Sequence, residues 1–305
     1  MKPLLMITWT NIRLSYRAKV AFFFMFVMPV GFFFIYCGLI AHGQPDQVAG
    51  LMQPLVILLA ITSGLYGVGG TLVGLRERDI LHRFHLAPLT AVQIVMSNIL
   101  ATYITFIPIV ILMFAMARFL YRVPLPADAA LGLLAVLSLG YMAMGGLSMV
   151  VAGLVNTSQE SSIVLQVLFF VLLFLSGASV PLAHMPHFVQ SLSLCLPPTL
   201  MILSGQGLLI AHHRLYLHVP ELIGLAFMAI SSLALATTAF RWENDGRPDR
   251  RRLGPAVLAI LPSILVGIWL NSSSSVRQNN NYLLSPSTQI TQPAQPQSLP
   301  NNQNR

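Results

Sequence analysis

Two adjacent stretches decide the fold: LMQPLVILLAITSGLYGVGGTLVGL at residues 51–75 and RERDILHRFHLAPLT at residues 76–90. The first has no charged residue, whereas the second carries five charges in 15 positions. A helix needs about 20 apolar residues to cross a hydrocarbon core of about 30 Å, where it must satisfy its own backbone hydrogen bonds. Residues 51–75 therefore predict a membrane span, and residues 76–90 predict a loop outside the bilayer.

The whole chain has the composition of a membrane protein. Its 305 residues are 55% hydrophobic and only 9% charged, whereas soluble domains contain about 25% charged residues. Segments long and apolar enough to span are residues 20–41, 51–75, 92–117, 129–155, 163–180 and 222–240. Residues 253–270 are an expected extra, seventh span, although they contain two prolines. The predicted fold class is an all-α integral membrane protein.

The basic residues predict the orientation, because short basic loops stay in the cytoplasm. With the amino terminus inside, twelve of the 17 Lys and Arg residues lie on the cytoplasmic side. This arrangement predicts a cytoplasmic amino terminus and a carboxyl terminus outside. Topology and attraction to the lipid bilayer's anionic headgroups explain the net charge of +8, so we expect no nucleic-acid partner.

The two ends of the chain differ from the apolar segments. Residues 1–19 place apolar side chains broadly on one side and basic side chains elsewhere, which predicts an amphipathic helix in the membrane interface. An ordinary basic flank of the first span is the alternative. Residues 271–305 are rich in Asn, Gln, Ser and Pro and predict a disordered polar tail.

The sequence lacks the signals of a self-powered transporter and of an enzyme. No acidic or basic residue falls clearly inside the seven apolar segments, whereas ion-coupled carriers need such groups at membrane depth. The two lysines, Lys2 and Lys19, follow no phosphate-binding Gly-x-x-x-x-Gly pattern. His184 and His187 have a ligand-like gap, but Pro186 interrupts the helix that would align them. We therefore predict no catalytic residue, no metal site and no bound cofactor, and uphill transport would need an energy-supplying partner.

Residues 181–220 are neither a span nor an ordinary soluble loop. About forty residues long, the segment stays apolar at Phe188, Leu192, Leu200 and Leu208. Non-spanning backbone is tolerated at membrane depth where it is buried in protein. The segment therefore predicts two short helices that dip into the outer leaflet.

Four stretches resemble the membrane-spanning permease subunit of ABC transporters, in the type-2 class of drug, lipid and polysaccharide exporters. The amino-terminal helix leads into a span with Met28-Pro29, and residues 75–90 are similar to the family's Arg-Glu-Arg, short helix, small residue, Pro, Leu and Ser or Thr. The polar turn NTSQE at 156–160 and the stretch from LSGASVPL at 175–182 onward resemble the family's inner turn and outer re-entrant helices. The resemblance covers residues 1–243 and implies a six-span permease domain over residues 20–243.

The resemblance implies that residues 76–90 dock on a cytoplasmic ABC ATPase subunit, which would use ATP and Mg. Charged residues would orient the contact, three apolar residues would fill a groove, and Pro88 would end the short helix. The docking residues are Arg76, Glu77, Arg78, Asp79, Leu81, His82, Arg83, Phe84, Leu86 and Pro88. A solvated loop that merely touches lipid headgroups is the alternative.

The resemblance also implies a second permease, as a homodimer or heterodimer, and a substrate pathway among the first, second and fifth spans. Candidates for this pathway are Thr62, Tyr66, Gln166 and Phe170, each with packing as the alternative role. The predicted function is the permease of an ATP-driven exporter in a bacterial-type inner membrane. The alternatives are a non-transporting membrane assembly or scaffold protein and a self-contained secondary transporter.

Overall fold

The computed structural model of the chain describes residues 2–17, 19–81, 89–180, 182–209, 215–240 and 253–272. Within these ranges every regular element is a helix, which confirms the predicted all-α fold class. The principal helices are α1 Lys2–Arg17, α2 Lys19–Ile35, α3 Pro45–Glu77, α4 Ala91–Leu120, α5 Ala127–Leu154, α6 Ser158–Leu175, α7 His187–Ser193, α8 Pro197–Leu209, α9 Val219–Ala239 and α10 Leu253–Ser272. A π-helical segment, Tyr36–Ile40, follows α2, and a second one, Ser63–Gly70, lies inside α3.

The long apolar helices fall where the hydropathy of the sequence predicts spans. Among the described residues, α3, α4, α5, α6 and α9 are the 5 helices long and apolar enough to cross a membrane. Helix α6 differs from the predicted segment 163–180, because it begins at Ser158 and ends at Leu175. Thr157 caps its first turn by accepting a hydrogen bond from the backbone N–H of Glu160 at 3.2 Å.

One end of the bundle, which we call the charged end, is where α3 and α5 finish and α4 and α6 begin. Glu77 at the end of α3 contacts Ser158 at the start of α6. Helix α1 lies at the same end, where the Thr8 hydroxyl donates to the Ser97 carbonyl of α4 at 3.5 Å. The opposite end holds the short helices α7 and α8.

Helix α4 begins at Ala91 because Thr90 forms a capping box with Gln93. The Thr90 hydroxyl accepts from the Gln93 N–H at 3.3 Å, and the Thr90 N–H donates to the Gln93 side chain at 3.1 Å. The start of the third predicted span is therefore fixed by the last residue of the 76–90 loop. Pro88, which was predicted to end the short helix of the loop, lies outside the described residues.

Helix α5 occupies the centre of the bundle. In its apolar stretch 61% of the residues are buried inside the protein, whereas the corresponding share in α6 is 17%. Glycines allow the neighbouring helices to approach: a Cβ atom at Gly146 would lie 2.2 Å from Ser232 Oγ of α9, and one at Gly153 would lie 2.3 Å from the Ala239 carbonyl oxygen. Such small-residue contacts replace the hydrophobic effect as the basis of helix association in lipid.

The segment after α6 folds into two short helices, α7 and α8, which meet at an angle of 96°. Helix α8 is tied to α3 by the Gln53 side chain, whose Nε2 donates to the carbonyls of Met201 and Ile202 at 2.9 and 2.8 Å. Gly205 permits this approach, because a Cβ atom there would lie 1.9 Å from Gln53 Nε2. A buried amide thus holds the bent pair against the bundle.

Helix α10, which follows the family-like part of the sequence, packs antiparallel against α9. A Cβ atom at Gly224 near the start of α9 would lie 2.9 Å from Val266 near the end of α10. A Cβ atom at Gly267 would lie 2.3 Å from the sulfur of Cys195, in the bend between α7 and α8. The last turns of α10 therefore lie at the opposite end of the bundle from the charged end.

The close approach of α5 to α9 predicts that Gly153→Ala lowers stability. The added methyl meets the backbone of Ala239 rather than a movable side chain, and such overpacking costs about 1–3 kcal/mol. The control is Gly50→Ala in α3, where no atom lies within 4 Å of the new Cβ and alanine favours the helix. Thermal unfolding of the purified protein should show a lower melting temperature for Gly153→Ala alone. Equal melting temperatures for the two variants would contradict the close contact.

Candidate functional site

The stem of the 76–90 loop is built on a buried arginine. Arg76, in the last turn of α3, is 1% exposed. Its Nη2 donates to the Ala152 carbonyl at 2.9 Å and also to the Val155 carbonyl. These carbonyls lie at the carboxyl end of α5, where helix oxygens lack intrahelical donors and carry partial negative charge. Arg76 therefore caps α5 from a neighbouring helix.

The next residue holds the start of α6. Glu77 is exposed, and its Oε2 accepts a hydrogen bond from the Ser158 backbone N–H at 3.2 Å and another from the Ser158 hydroxyl. The amino end of a helix carries unpaired N–H groups and partial positive charge, which a carboxylate stabilises. Two adjacent residues of opposite charge thus bind the two helix ends that flank the 155–158 turn.

The structure separates the predicted docking residues into two groups. Arg78 and Asp79 are exposed, as is Glu77, and Asp79 has a positive φ of 54° in the turn that follows α3. Arg76 and Leu81, at 1% and 0% exposed, face the interior of the chain, and their role as partner contacts stays a prediction from the sequence. Tertiary contacts explain this burial, because α5 presents carbonyl acceptors to Arg76 and Leu81 packs into the apolar core.

The remaining docking residues lie outside the described residues. They share the central part of the loop: His82, Arg83, Phe84, Leu86 and Pro88. Their role as partner contacts stays a prediction from the sequence.

Two of the four predicted substrate-pathway residues, Tyr66 and Gln166, meet between α3 and α6. The Tyr66 hydroxyl donates to Gln166 Oε1 at 2.7 Å, and the Tyr66 ring centroid lies 6.2 Å from that of Phe169. Phe170 adjoins this group, with its ring centroid 5.6 Å from Phe169. Thr62 does not join them, because its hydroxyl donates within its own helix to the Leu58 and Leu59 carbonyls at 3.0 Å.

Tyr66 lies in the π segment Ser63–Gly70, where side chains from neighbouring helices bind the backbone. Asn98 of α4 donates to the Val68 carbonyl at 2.8 Å, and Ser148 of α5 donates to the Leu65 carbonyl. Short π segments inside α-helices occur frequently at functional sites. The π segment therefore places Tyr66 beside α6, while side chains of α4 and α5 donate hydrogen bonds to two carbonyl groups of the segment.

Sequence reasoning missed a buried acidic residue at the start of α9. Glu221 is 0% exposed, and His218 Nδ1 lies 3.9 Å from its Oε2. A Cβ atom at Gly207 of α8 would lie 2.2 Å from His218 Nε2, so the imidazole packs directly on α8. Glu221 precedes the predicted segment 222–240 by one position and therefore falls outside it. The signal that could have found it is a proline, Pro220, which marks the first turn of the helix.

Together, the apolar helices and the charged end define a multi-pass membrane protein. The family model of the ABC-2 type transporter matches residues 3–209, two thirds of the chain, so the chain belongs to the ABC-2 type transporter family. It is the membrane permease component of an ABC transporter, which confirms the resemblance seen in the sequence. The match ends with α8, and α9 and α10 lie beyond it. No curated protein and no solved structure matches the chain.

The capping role of Arg76 predicts that Arg76→Leu destabilises the protein. The substitution removes a charged donor from two buried carbonyls, a loss of about 2–4 kcal/mol in the free energy of unfolding. Arg78→Leu is the matched control, because Arg78 is exposed and surface changes usually stay within about 0.5 kcal/mol. Thermal unfolding in detergent measures both. A fall in melting temperature as large for Arg78→Leu as for Arg76→Leu would refute the capping role.

Proposed function

We propose that this permease is one half of an ATP-driven exporter that couples to a separate cytoplasmic ATPase through residues 76–90. The observation that carries the proposal is the build of the loop stem. Arg78 and Asp79 are exposed and follow closely after the buried Arg76. Exposed charges of both signs are therefore attached to a well-packed part of the protein. The loop sequence adds the apolar residues Phe84 and Leu86, and a combination of mixed charges with apolar residues suits a specific and reversible protein contact. Export, rather than import, follows from the resemblance to type-2 exporters.

The charged end would face the cytoplasm of a bacterial-type cell and lie on the inner side of the inner membrane. Arg78 and, on α1, Arg13 and Arg17 are exposed at this end. Basic loops are retained on the cytoplasmic side, and basic side chains near the surface attract anionic headgroups. This orientation gives the ATPase access to the loop and keeps Mg and ATP in the partner subunit.

A second permease would cover the face of α6. The helix exposes Ile163, Val167 and Phe174, which suit lipid or another apolar surface. Gln166 is exposed on the same helix, and its Oε1 accepts from Tyr66; leaving its NH2 group without a partner against acyl chains would cost about 2–7 kcal/mol. A cavity between two permeases would resolve this conflict by giving Tyr66 and Gln166 a polar surrounding within an aromatic wall. Such a wall suits an amphipathic cargo.

The docking proposal is tested by purifying the full chain with an affinity tag from its native host. We expect an ABC ATPase to co-purify, and Phe84→Ala or Arg78→Glu to reduce its retention by at least about tenfold, as central interface contacts do. Matched controls are Phe119→Ala and Arg118→Glu, because both residues are exposed at the opposite end of the bundle. These two changes should leave retention unaltered.

The outcome also separates the alternatives. A native chain that retains no ATPase would contradict the proposal and favour a scaffold or a self-contained carrier. Retention that survives both loop substitutions would place the ATPase contact elsewhere on the chain.

The carboxyl terminus would leave the membrane on the outer side. Helix α10 returns along α9 and brings Gly267 to Cys195, so the tail from residue 273 would follow at the outer end. The family match does not extend to this helix, so its packing is the support for a seventh span.

This placement predicts that Gly267→Cys forms a disulfide with Cys195, which is free in the native chain. The test uses a Cys37→Ala background and mild oxidation in membranes, followed by mass spectrometry of the tryptic digest. Leu261→Cys is the control, because Leu261 lies on the exposed side of α10. We expect the linked peptide for position 267 and none for position 261. Equal linkage at both positions would show that α10 does not hold this fixed contact.

A further inference from the structure

We propose that Arg76 and Glu77 form a coupling clamp, which joins the stem of the docking loop to the 155–158 turn and transmits loop movement to α6. The inference rests on the proposed function and names how docking would be converted into movement of a span. Arg76 and Glu77 are thus positioning residues: they act through the helices they hold. Their contacts lie entirely within this chain, so the clamp exists before any partner binds.

The arginine half of the clamp fixes the stem to α5. A single terminal nitrogen of Arg76 binds both Ala152 and Val155, so the guanidinium follows any displacement of the end of α5. Because the side chain is almost wholly buried, water does not compete for these carbonyls. The contact makes the ends of α3 and α5 one unit.

The glutamate half of the clamp reaches α6 across the same turn. Thr157 accepts the Glu160 N–H, and the Asn156 N–H donates to the Glu160 carboxylate at 2.8 Å, so the turn is already capped by its own residues. The Ser158 N–H and hydroxyl remain as donors, and Glu77 of α3 accepts both. These two hydrogen bonds therefore connect the start of α6 to another helix, α3.

Helix α6 responds to such a contact because little else holds it. In its apolar stretch 17% of the residues are buried, and the buried side chains of the helix are Ser161, Leu165 and Leu172. Tyr66 and Gln166 form a second link between α3 and α6, farther from the charged end. With two links at different depths, α6 would move together with α3 instead of swinging independently.

The two halves of the clamp also use complementary electrostatics. The cation meets the negative end of α5, and the anion meets the positive end of α6. Exchanging the two charges would repel both helix ends, so the order Arg76-Glu77 matters as well as the composition. A loop displaced by a partner would therefore pull on both spans through attractive contacts.

The test is Ser158→Pro, which removes both donors to Glu77 and fits the local backbone. Ser158 is the first residue of α6, a position where proline is tolerated because its N–H has no helical acceptor. The preceding Thr157 is extended, at φ −119° and ψ 155°, which is the conformation required before proline. Ser158→Thr retains both donors and is the matched control.

The full chain is purified with its ATPase in lipid nanodiscs, in a background lacking Cys37 and Cys195. Phe174→Cys is the reporter, because Phe174 lies on the face of α6 that the second permease would cover. We measure the maleimide reaction rate of the reporter with and without ATP and Mg. In the parent and in Ser158→Thr we expect nucleotide to change this rate at least about fivefold. In Ser158→Pro the change should fall below about twofold, while ATPase retention and melting temperature stay at the parent values.

Two other results would contradict the coupling-clamp proposal. A parent-like nucleotide response in Ser158→Pro would show that α6 is driven by another contact. Loss of bound ATPase or a large fall in melting temperature would show that the contact supports folding rather than coupling. Failure of the docking proposal is distinct, because the parent protein would then retain no ATPase. Hydrogen exchange at residues 159–162 of the chain alone, faster in Ser158→Pro than in Ser158→Thr, reports the clamp without any ATPase.

Discussion

Every backbone carbonyl buried among membrane helices needs a donor from within the protein, and four buried polar side chains of this chain meet that need across helices. Gln53, Asn98, Ser148 and Arg76 each donate to a main-chain carbonyl of a different helix. They act at the places where helical regularity changes or a helix ends: the bent outer pair, the π segment of α3 and the end of α5. Because lipid supplies no alternative partner, each contact fixes the relative position of two helices.

The same constraint determines where helices approach closely. A short polar side chain reaches a neighbouring backbone only if nothing intervenes, and glycine provides that space. Gly205 admits Gln53, and Gly69 admits Ser148, whose Oγ would lie 2.1 Å from a Cβ atom there. These two glycines thus serve hydrogen bonding as well as packing.

The sequence was sufficient to predict the helices but not the direction in which the loop residues point. Bilayer thickness sets the length of an apolar run, so hydropathy alone located the long helices, and the family match agrees with the motifs found in the 75–90 loop. Arg76 and Arg78 are indistinguishable in a linear sequence, because both lie in one charged stretch. Their different burial depends on the end of α5, which is more than seventy residues away in the chain. The contact between Tyr66 and Gln166 likewise depends on how α3 and α6 pack. The sequence could place both residues in one predicted substrate pathway, but it could not predict their hydrogen bond.

The uneven burial of the helices carries a functional consequence. A protein that was complete as a monomer would place its least buried helix in lipid and give it an apolar surface. Helix α6 has such a surface at Ile163 and Val167, yet it also carries the exposed Gln166, whose Oε1 accepts from Tyr66. A helix that is weakly held, polar at mid-depth and tied to the loop stem at one end has the properties of a moving part rather than of a scaffold. In the proposed coupling, the well-packed α5 and α9, which meet through glycine, would form the frame against which α6 moves.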